Sequence, residues 1–328
     1  MKSLVTGGAG FIGSNLVDKL VKLGHKVIVL DNLSTGSLSN LSKVKNKIKF
    51  VNVDISSTKE PITRYFKNVD WVFHMAGLAD TLSSVVNPNI YFKTNTTGTL
   101  NILEASKKTN IKKLIYAASA SCYGVPKKYP TDENAKIDPE YPYALTKFFG
   151  EQLVIHWNKI YNMPNISLRF FNVYGPRSRT TGAYGAVISI FLAQKLSKEP
   201  LTIVGNGKQT RDFIHVYDLV NAIIKAAQKG KQGEIYNVGN EKEISINSIA
   251  NIVGGSKVRI PKRPGEPDRS VANATKIKTQ LKWRPKISIR EGIKMLLNDI
   301  NDLRGSKVWT PKALKKTTKM WPKLFNKS

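Results

Sequence analysis

The sequence predicts a doubly wound α/β fold, in which helices cover both faces of a parallel sheet and a smaller α/β lobe follows. Three observations support this. Short apolar runs alternate with helical stretches through the first 173 residues, a glycine-rich turn joins the first run to the first helix, and turn-rich segments crowd the chain after residue 174.

The strand-like runs are 2-KSLVT-6, 26-KVIVLD-31, 49-KFVNV-53, 70-DWVFHM-75, 113-KLIYAAS-119 and 166-ISLRFF-171. They are short, apolar and rich in β-branched and aromatic residues, as strands are. Helical patterns lie between several of them, near residues 11 to 23, 88 to 109 and 143 to 162. That alternation predicts right-handed βαβ units. The segments 175-GPRSRTTGAYG-185, 205-GNGKQTRD-212 and 261-PKRPGEPDR-269 predict a second lobe built on turns. The expected division is 1–173 for the sheet domain, with about 212–240 returning to it, 174–297 mainly for the lobe, and 298–328 for a tail.

The 328 residues are 41% hydrophobic and 23% charged, an ordinary globular balance that can bury a large core. One cysteine, Cys122, excludes an internal disulfide and any cysteine-rich metal site, and no metal is expected. No apolar run is long enough to span a membrane, and residues 1 to 13 belong to a folded motif, so a cytoplasmic protein is expected. The 52 basic residues against 23 acidic ones leave a formal charge of +29. The lysines are scattered and lack the interleaved aromatics of RNA-binding motifs, so no specific nucleic acid is expected. The tail from Arg304 to Ser328 has eight basic residues, no acidic one, and Trp309, Leu314, Trp321 and Phe325 among them. It is expected to be a solvated terminal helix docked by its tryptophans. The other reading, a basic amphipathic helix from Thr310-Pro311 on a membrane surface or a partner, stays open.

The glycine-rich turn is 6-TGGAGFIG-13, with Gly7, Gly10 and Gly13 spaced GxxGxxG around Phe11 and Ile12. Glycine lets backbone turn tightly and approach a pyrophosphate, whose charge the following helix N-terminus favours. Asp31 ends the second strand at the place of a ribose-binding carboxylate, and Asn32 rather than an arginine follows. A carboxylate accepts a 2′-hydroxyl and repels a 2′-phosphate, so the cofactor is predicted to be NAD. Asp54-Ile55 after the third strand, and Met75, Ala76 and Gly77 in 74-HMAG-77, fall where the adenine and pyrophosphate would be held. His74 is expected to be a packed core histidine.

In 140-EYPYALTK-147, Tyr143 and Lys147 stand four apart, on one face of a helix. A phenol with its ordinary pKa near 10 is a poor base at neutral pH. An ammonium beside it favours the phenolate, so the pair is expected to form a general acid/base. The serines of 117-AASASCYG-124, at the end of the fifth strand, lie at the carboxyl edge of the sheet and supply a hydroxyl to orient an alcohol.

Together TGGAGFIG, HMAG, SASCYG, YALTK, RFFNVYGPR and TRDFIHVYDL resemble the extended short-chain dehydrogenase/reductase family of NAD-dependent nucleotide-sugar epimerases and dehydratases, from residue 1 to about 297. The resemblance implies a Rossmann domain with a C-terminal nucleotide-sugar lobe. It makes Ser119 the catalytic hydroxyl, Tyr143 the base and Lys147 the ribose-binding cation. It puts Asn95 near that lysine and Asn172, Arg211 and Arg263 on the sugar diphosphate, and it sets Ser270 beside the sugar's C2 substituent. It further implies a homodimer through the helices near 88 to 109 and 143 to 162, where Ile90, Leu100, Leu103, Leu153 and Ile155 offer apolar surface.

Ala120, Ser121 and Cys122 follow Ser119, where the family's dehydratases carry Asp-Glu and its decarboxylases a Glu. What remains is redox chemistry at one alcohol, so the expected activity is a UDP-hexose 4-epimerase. The stretch 182-GAYGAVI-188 resembles epimerases of UDP-N-acetylglucosamine, and a serine at 270 leaves room for an N-acetyl group. In 78-LADTLSSVV-86, Ala79 stands where glucose/galactose epimerases often have lysine. Other readings stay open: a uronate epimerase, decarboxylase or 4,6-dehydratase of the same family, or a basic NAD-bound scaffold or RNA-associated protein without turnover.

Overall fold

The computed structural model describes residues 1–57, 61–180, 187–262 and 267–310. Arg263, most of 182-GAYGAVI-188 and the tail from 311 onward lie outside the described residues.

Seven parallel strands form the central sheet. In chain order they are β1 (Lys2–Thr6), β2 (Lys26–Asp31), β3 (Ile48–Asn52), β4 (Trp71–His74), β5 (Lys113–Ser119), β6 (Asn165–Phe170) and, after β7 to β9 below, β10 (Ile235–Val238). Their spatial order is β3-β2-β1-β4-β5-β6-β10. The order reverses between β1 and β4, and the crevice beyond their carboxyl ends is where open α/β sheets bind ligands. Alternation within each strand feeds both faces. Val5, Val29, Phe73 and Ile115 pack with Leu16, Val17 and Leu20 of α1 (Phe11–Lys22) on one side. On the other, Leu4, Ile28, Val72 and Leu114 meet Ile102 and Leu103.

The helices follow the predicted pattern with one change. In place of a continuous helix from 88 to 109, α3 (Pro88–Phe92) passes through a π turn, Lys93–Thr97, into α4 (Gly98–Lys108); α2 (Thr81–Val86) precedes them and α5 (Pro142–Tyr161) follows. The extra residue of the turn places Asn95 inward and buried. Leu103 is fully buried in the core of its own chain, so it has no surface to offer a partner, and Leu153 packs against the same core.

A separate apolar cluster holds the second group of elements. It joins Phe191 and Leu192 of α6 (Val187–Leu196), Ile249 and Val253 of α8 (Ile246–Val253) and Ile293 of α10 (Ile289–Asn298). Around it, β7 (Asn172–Tyr174), β9 (Thr210–His215) and β11 (Glu243–Ser245) form a mixed sheet, and β8 (Leu201–Val204) pairs with β12 (Lys257–Ile260). Between these strands, α7 (Val216–Lys229) covers the central sheet, and α9 (Thr275–Leu281) packs beside β10. The Trp309 carbonyl accepts from Gln194 Nε2 at 2.7 Å and fastens the chain to α6 as far as the described residues extend.

One buried ion pair ties α5 to the sheet. Arg169 of β6 meets Glu151 with Nη2 to Oε1 at 2.6 Å and Nε to Oε2 at 3.0 Å, the two side chains being 3% and 1% exposed. Ser167 Oγ donates to Glu151 Oε2 at 2.9 Å, and Arg169 Nη1 donates to the Tyr123 hydroxyl at 2.8 Å and the Glu133 carbonyl at 3.0 Å. Removing one partner strands a charge, whereas replacing both need not. Glu151→Ala is therefore expected to lower stability by about 3–5 kcal/mol in urea denaturation, and Glu151→Leu with Arg169→Met to recover most of that loss.

Candidate functional site

The site begins with glycines that only glycine can occupy. Gly7 has φ +66°, and a Cβ there would lie 2.7 Å from Ala76 Cα; a Cβ on Gly13 would lie 2.1 Å from the Gly7 carbonyl oxygen. The β1–α1 turn thus sits directly on the end of β4. Gly10 is the N-cap of α1, no side chain caps that end, and its first-turn amides border the cleft. The cradle and the helix end fit a pyrophosphate.

Asp31 is buried and held from both oxygens: Oδ2 accepts from Ala9 N at 2.9 Å and Oδ1 from Leu33 N at 2.8 Å. Each oxygen keeps a further lone pair for a ribose hydroxyl. Asn32, Asp54 and Ile55 line the same cleft, with Asp54 Oδ1 fixed by the Ser56 amide and hydroxyl. Met75, Ala76 and Gly77 form the wall opposite. His74 is fully buried between the hydroxyls of Thr6 and Thr99, at 2.7 and 2.9 Å. Burial, then the nearby Lys147, pushes its pKa down to about 3, so it is a neutral core histidine.

β5 delivers Ser119 to the carboxyl edge, and α5 delivers Tyr143 at its second residue, after Pro142. The Tyr143 hydroxyl donates to Ser119 Oγ at 3.1 Å, and Ser119 Oγ is 2.7 Å from Ser121 Oγ. Lys147 follows one turn later, buried just behind the cleft wall, with Nζ 4.3 Å from the centroid of the Tyr116 ring. A Cβ on Gly77 would stand 3.5 Å from that Nζ and 3.1 Å from Asn95 Oδ1. Asn95 pins the loop beyond Gly77, accepting from Leu78 N at 2.8 Å and donating to Leu78 O at 3.0 Å and Thr146 Oγ1 at 3.1 Å.

The electrostatics differ from the expected phenolate pair. Burial raises the Tyr143 pKa, and hydrogen bonding with Ser119 and Ser121 opposes it. Burial likewise lowers Lys147 to about 7 against the pull of Glu151. Desolvation acts on both side chains, and the lysine rests on Tyr116 rather than against the phenol.

Asn172, Arg211 and Ser270 line the other half of the cleft. They meet at one residue, Asp212, which follows Arg211: Asn172 Nδ2 donates to Asp212 O at 3.1 Å, and Asp212 N donates to Ser270 O at 2.7 Å. The Asp212 carboxylate in turn collects the amides of Asn240, Glu241 and Ala272. That aspartate lies in 210-TRDFIHVYDL-219, but the stretch alone does not show its role, because its donors come from distant segments. Sequence reasoning also missed four charged residues of the wall: Arg177, bound to Asp18 at 2.6 Å, Arg269, bound to Glu243 at 2.6 Å, the exposed Arg179, and Glu140. The paired cations of 175-GPRSR-179 were the available signal. Ser119, Tyr143, Asp31, Asn172, Arg211 and Ser270 border one continuous cavity of about 480 Å³, so a dinucleotide and a second anionic ligand have neighbouring places in it.

The pattern of the NAD dependent epimerase/dehydratase family matches residues 3–239. The chain is 40% identical over 302 residues to a Methanocaldococcus jannaschii protein provisionally named a UDP-glucose 4-epimerase, covering 90% of this chain and 97% of that one. It is 34% identical to UDP-glucuronic acid decarboxylase 1 of Arabidopsis thaliana, over 91% and 70% of the two chains. Its fold matches the crystal structure of UDP-glucose 4-epimerase from Thermotoga maritima with UDP-glucose at TM-score 0.86 and 36% identity, covering 91% of this chain and 98% of that one.

The lowered Lys147 pKa has a stability consequence. Above the ordinary lysine value of 10.5 burial of the neutral amine has no charge penalty; as pH falls toward about 7 the unfolded chain is protonated and the folded one is not, so stability declines. Lys147→Met should remove this part of the slope. Thermal melts of both proteins at pH 7 and pH 9 check it, the wild type being expected to gain more than the variant on going to pH 9.

Proposed function

The chain belongs to the NAD-dependent epimerase/dehydratase family and uses NAD, and on that basis we propose that it is a UDP-hexose 4-epimerase. The observation that carries this reading is the 3.1 Å hydrogen bond between Tyr143 and Ser119 inside the cleft that Asp31 and Arg211 share, with no carboxylate in the turn after Ser119. NAD supplies a hydride acceptor and donor when bound. Ser119 orients the sugar's C4 hydroxyl, and Tyr143 loses its own proton more readily under the positive charge of the nicotinamide ring when NAD is bound. The Tyr143 phenolate then takes the C4 hydroxyl proton as the alcohol gives up its hydride and becomes a ketone. Arg211 and Asn172 hold the diphosphate while the 4-keto sugar turns and presents its other face, and Tyr143 then returns the proton. Lys147 and Asn95, behind Gly77, fix the ribose side of the site. Ser270, beside these groups, leaves space for an N-acetyl substituent, so UDP-N-acetylglucosamine is a substrate alongside UDP-glucose.

One observation favours a second reading. Arg179 presents an exposed cation to the cleft, which suits an acidic sugar, and a UDP-glucuronic acid decarboxylase is among the relatives. Incubation with UDP-glucose, UDP-N-acetylglucosamine and UDP-glucuronic acid, without added NAD, separates the two by their products. Epimers of the first two are expected; turnover of the uronate alone would overturn the neutral-sugar reading. Tyr143→Phe should keep bound NAD and lose roughly 10²- to 10⁴-fold in turnover, the usual share of a positioned proton-transfer group. Ser270→Tyr should depress turnover of the acetylated sugar while sparing the plain hexose.

We also propose a homodimer. Ile90 and Phe92 are 52% and 48% exposed, and Phe92 packs edge-on against Phe149 of α5 at 6.1 Å between ring centroids, close to exposed Leu145. Such a joined apolar face on two helices suits a self-complementary contact. Light scattering at micromolar concentration should give twice the chain mass, and Phe149→Asp should halve it.

A further inference from the structure

We propose that the amino edge of the central sheet is a docking surface for an anionic lipid bilayer, remote from the cleft at the carboxyl edge. Right-handed βαβ winding returns each helix C-terminus and the next strand start to this one edge. The register sets Lys2 beside Lys26 and Trp71 beside Lys113, and the turns are bonded to one another, with Lys26 N to Met1 O at 2.9 Å and Lys112 N to Asp70 O at 2.8 Å. Four connections along it, 22-KLGHK-26, 45-KNKIK-49, 107-KKTNIKK-113 and 229-KGKQGE-234, carry eleven lysines against one carboxylate. That carboxylate, Glu234, is paired with Lys276 at 2.6 Å, and the neighbouring Asp70 with Lys112 at 2.7 Å.

Helix capping does not account for so much charge. Four helices, α1, α4, α5 and α7, end here, and at about half a negative charge each they balance roughly two lysines. The excess is accompanied by apolar side chains. Met1, Leu23, Ile160 and Tyr161 are all exposed on this edge, and Lys107 Nζ lies 4.2 Å from the Tyr161 ring centroid. Lysines with protruding aliphatic and aromatic groups suit a headgroup surface, where each cation meets a diffuse negative potential and the apolar groups enter the interface. A nucleic acid is the lesser fit, because none of the four connections contains an arginine to fork onto a phosphate.

Flotation of the purified full-length protein with vesicles of phosphatidylcholine and phosphatidylglycerol, or of phosphatidylcholine alone, at about 0.1 M salt, tests this. Binding is expected to the anionic vesicles only. Each lysine near such a surface contributes about fivefold to partitioning. The variant with Lys22→Glu, Lys26→Glu, Lys108→Glu and Lys112→Glu should therefore lose at least tenfold in binding with its NAD content unchanged, and Ile160→Ser with Tyr161→Ser should weaken binding as well. The same four positions changed to Gln serve if the charge-reversal variant misfolds. Equal binding to neutral vesicles, wild-type flotation of the variants, or loss of binding only when Lys312, Lys315, Lys316 and Lys319 of the tail become Gln would overturn the proposal. Retention of a short DNA duplex without binding to vesicles would overturn it in favour of nucleic acid.

Discussion

The pairing of Glu151 with Arg169 is the constraint on which the site depends. It sits on α5 two turns beyond Tyr143 and one beyond Lys147, and it fixes that helix to β6 from a buried position. The same guanidinium reaches Tyr123, the last residue of the turn that begins after Ser119, and Tyr123 reaches Asn237 of β10 at 2.7 Å. One buried cation thus sets the helix that brings the phenol and the turn that follows the hydroxyl in a single frame. A surface pair would contribute little by comparison, since water and salt would screen it and both side chains would lose entropy.

Much of the fold was legible because the residues that specify it are neighbours in sequence. Leu4 and Val5 go to opposite faces of β1, as strand alternation requires, and the glycines of 6-TGGAGFIG-13 sit where a side chain would collide with backbone. The predicted helix from 143 to 162 is α5 with each end one residue earlier. The places of Asp31, Ser119 and Tyr143 along the cleft were legible for the same reason, each standing at one end of a patterned segment.

What was not legible depends on contacts between distant segments. The Asp212 hub gathers amides from residues 240, 241 and 272, and the stretch 210-TRDFIHVYDL-219 that contains it does not reveal those partners. Leu103 has the spacing of a surface residue on an amphipathic helix, yet the sheet beneath takes it into the core. The tyrosine and lysine four apart were correctly placed on one face, but their pKa values follow from burial and from the Tyr116 ring, which arrives from β5. Spacing gives proximity; only packing gives the dielectric in which a charge must exist.

The π turn at Lys93–Thr97 acts as a phase shifter. One added residue advances a helix by about 100°, so the segments on either side of it answer to different surfaces. Before it, Ile90 and Phe92 face outward; after it, Ile102 and Leu103 face the sheet. Thr99 Oγ1 donates to the Asn95 carbonyl at 2.7 Å, and Gly150 lets α5 approach that same oxygen closely. A single inserted residue therefore uncouples the outer contact from the inner one. The chain can vary the outward face of α3 without disturbing how Asn95 and the helix beyond it sit against Lys147.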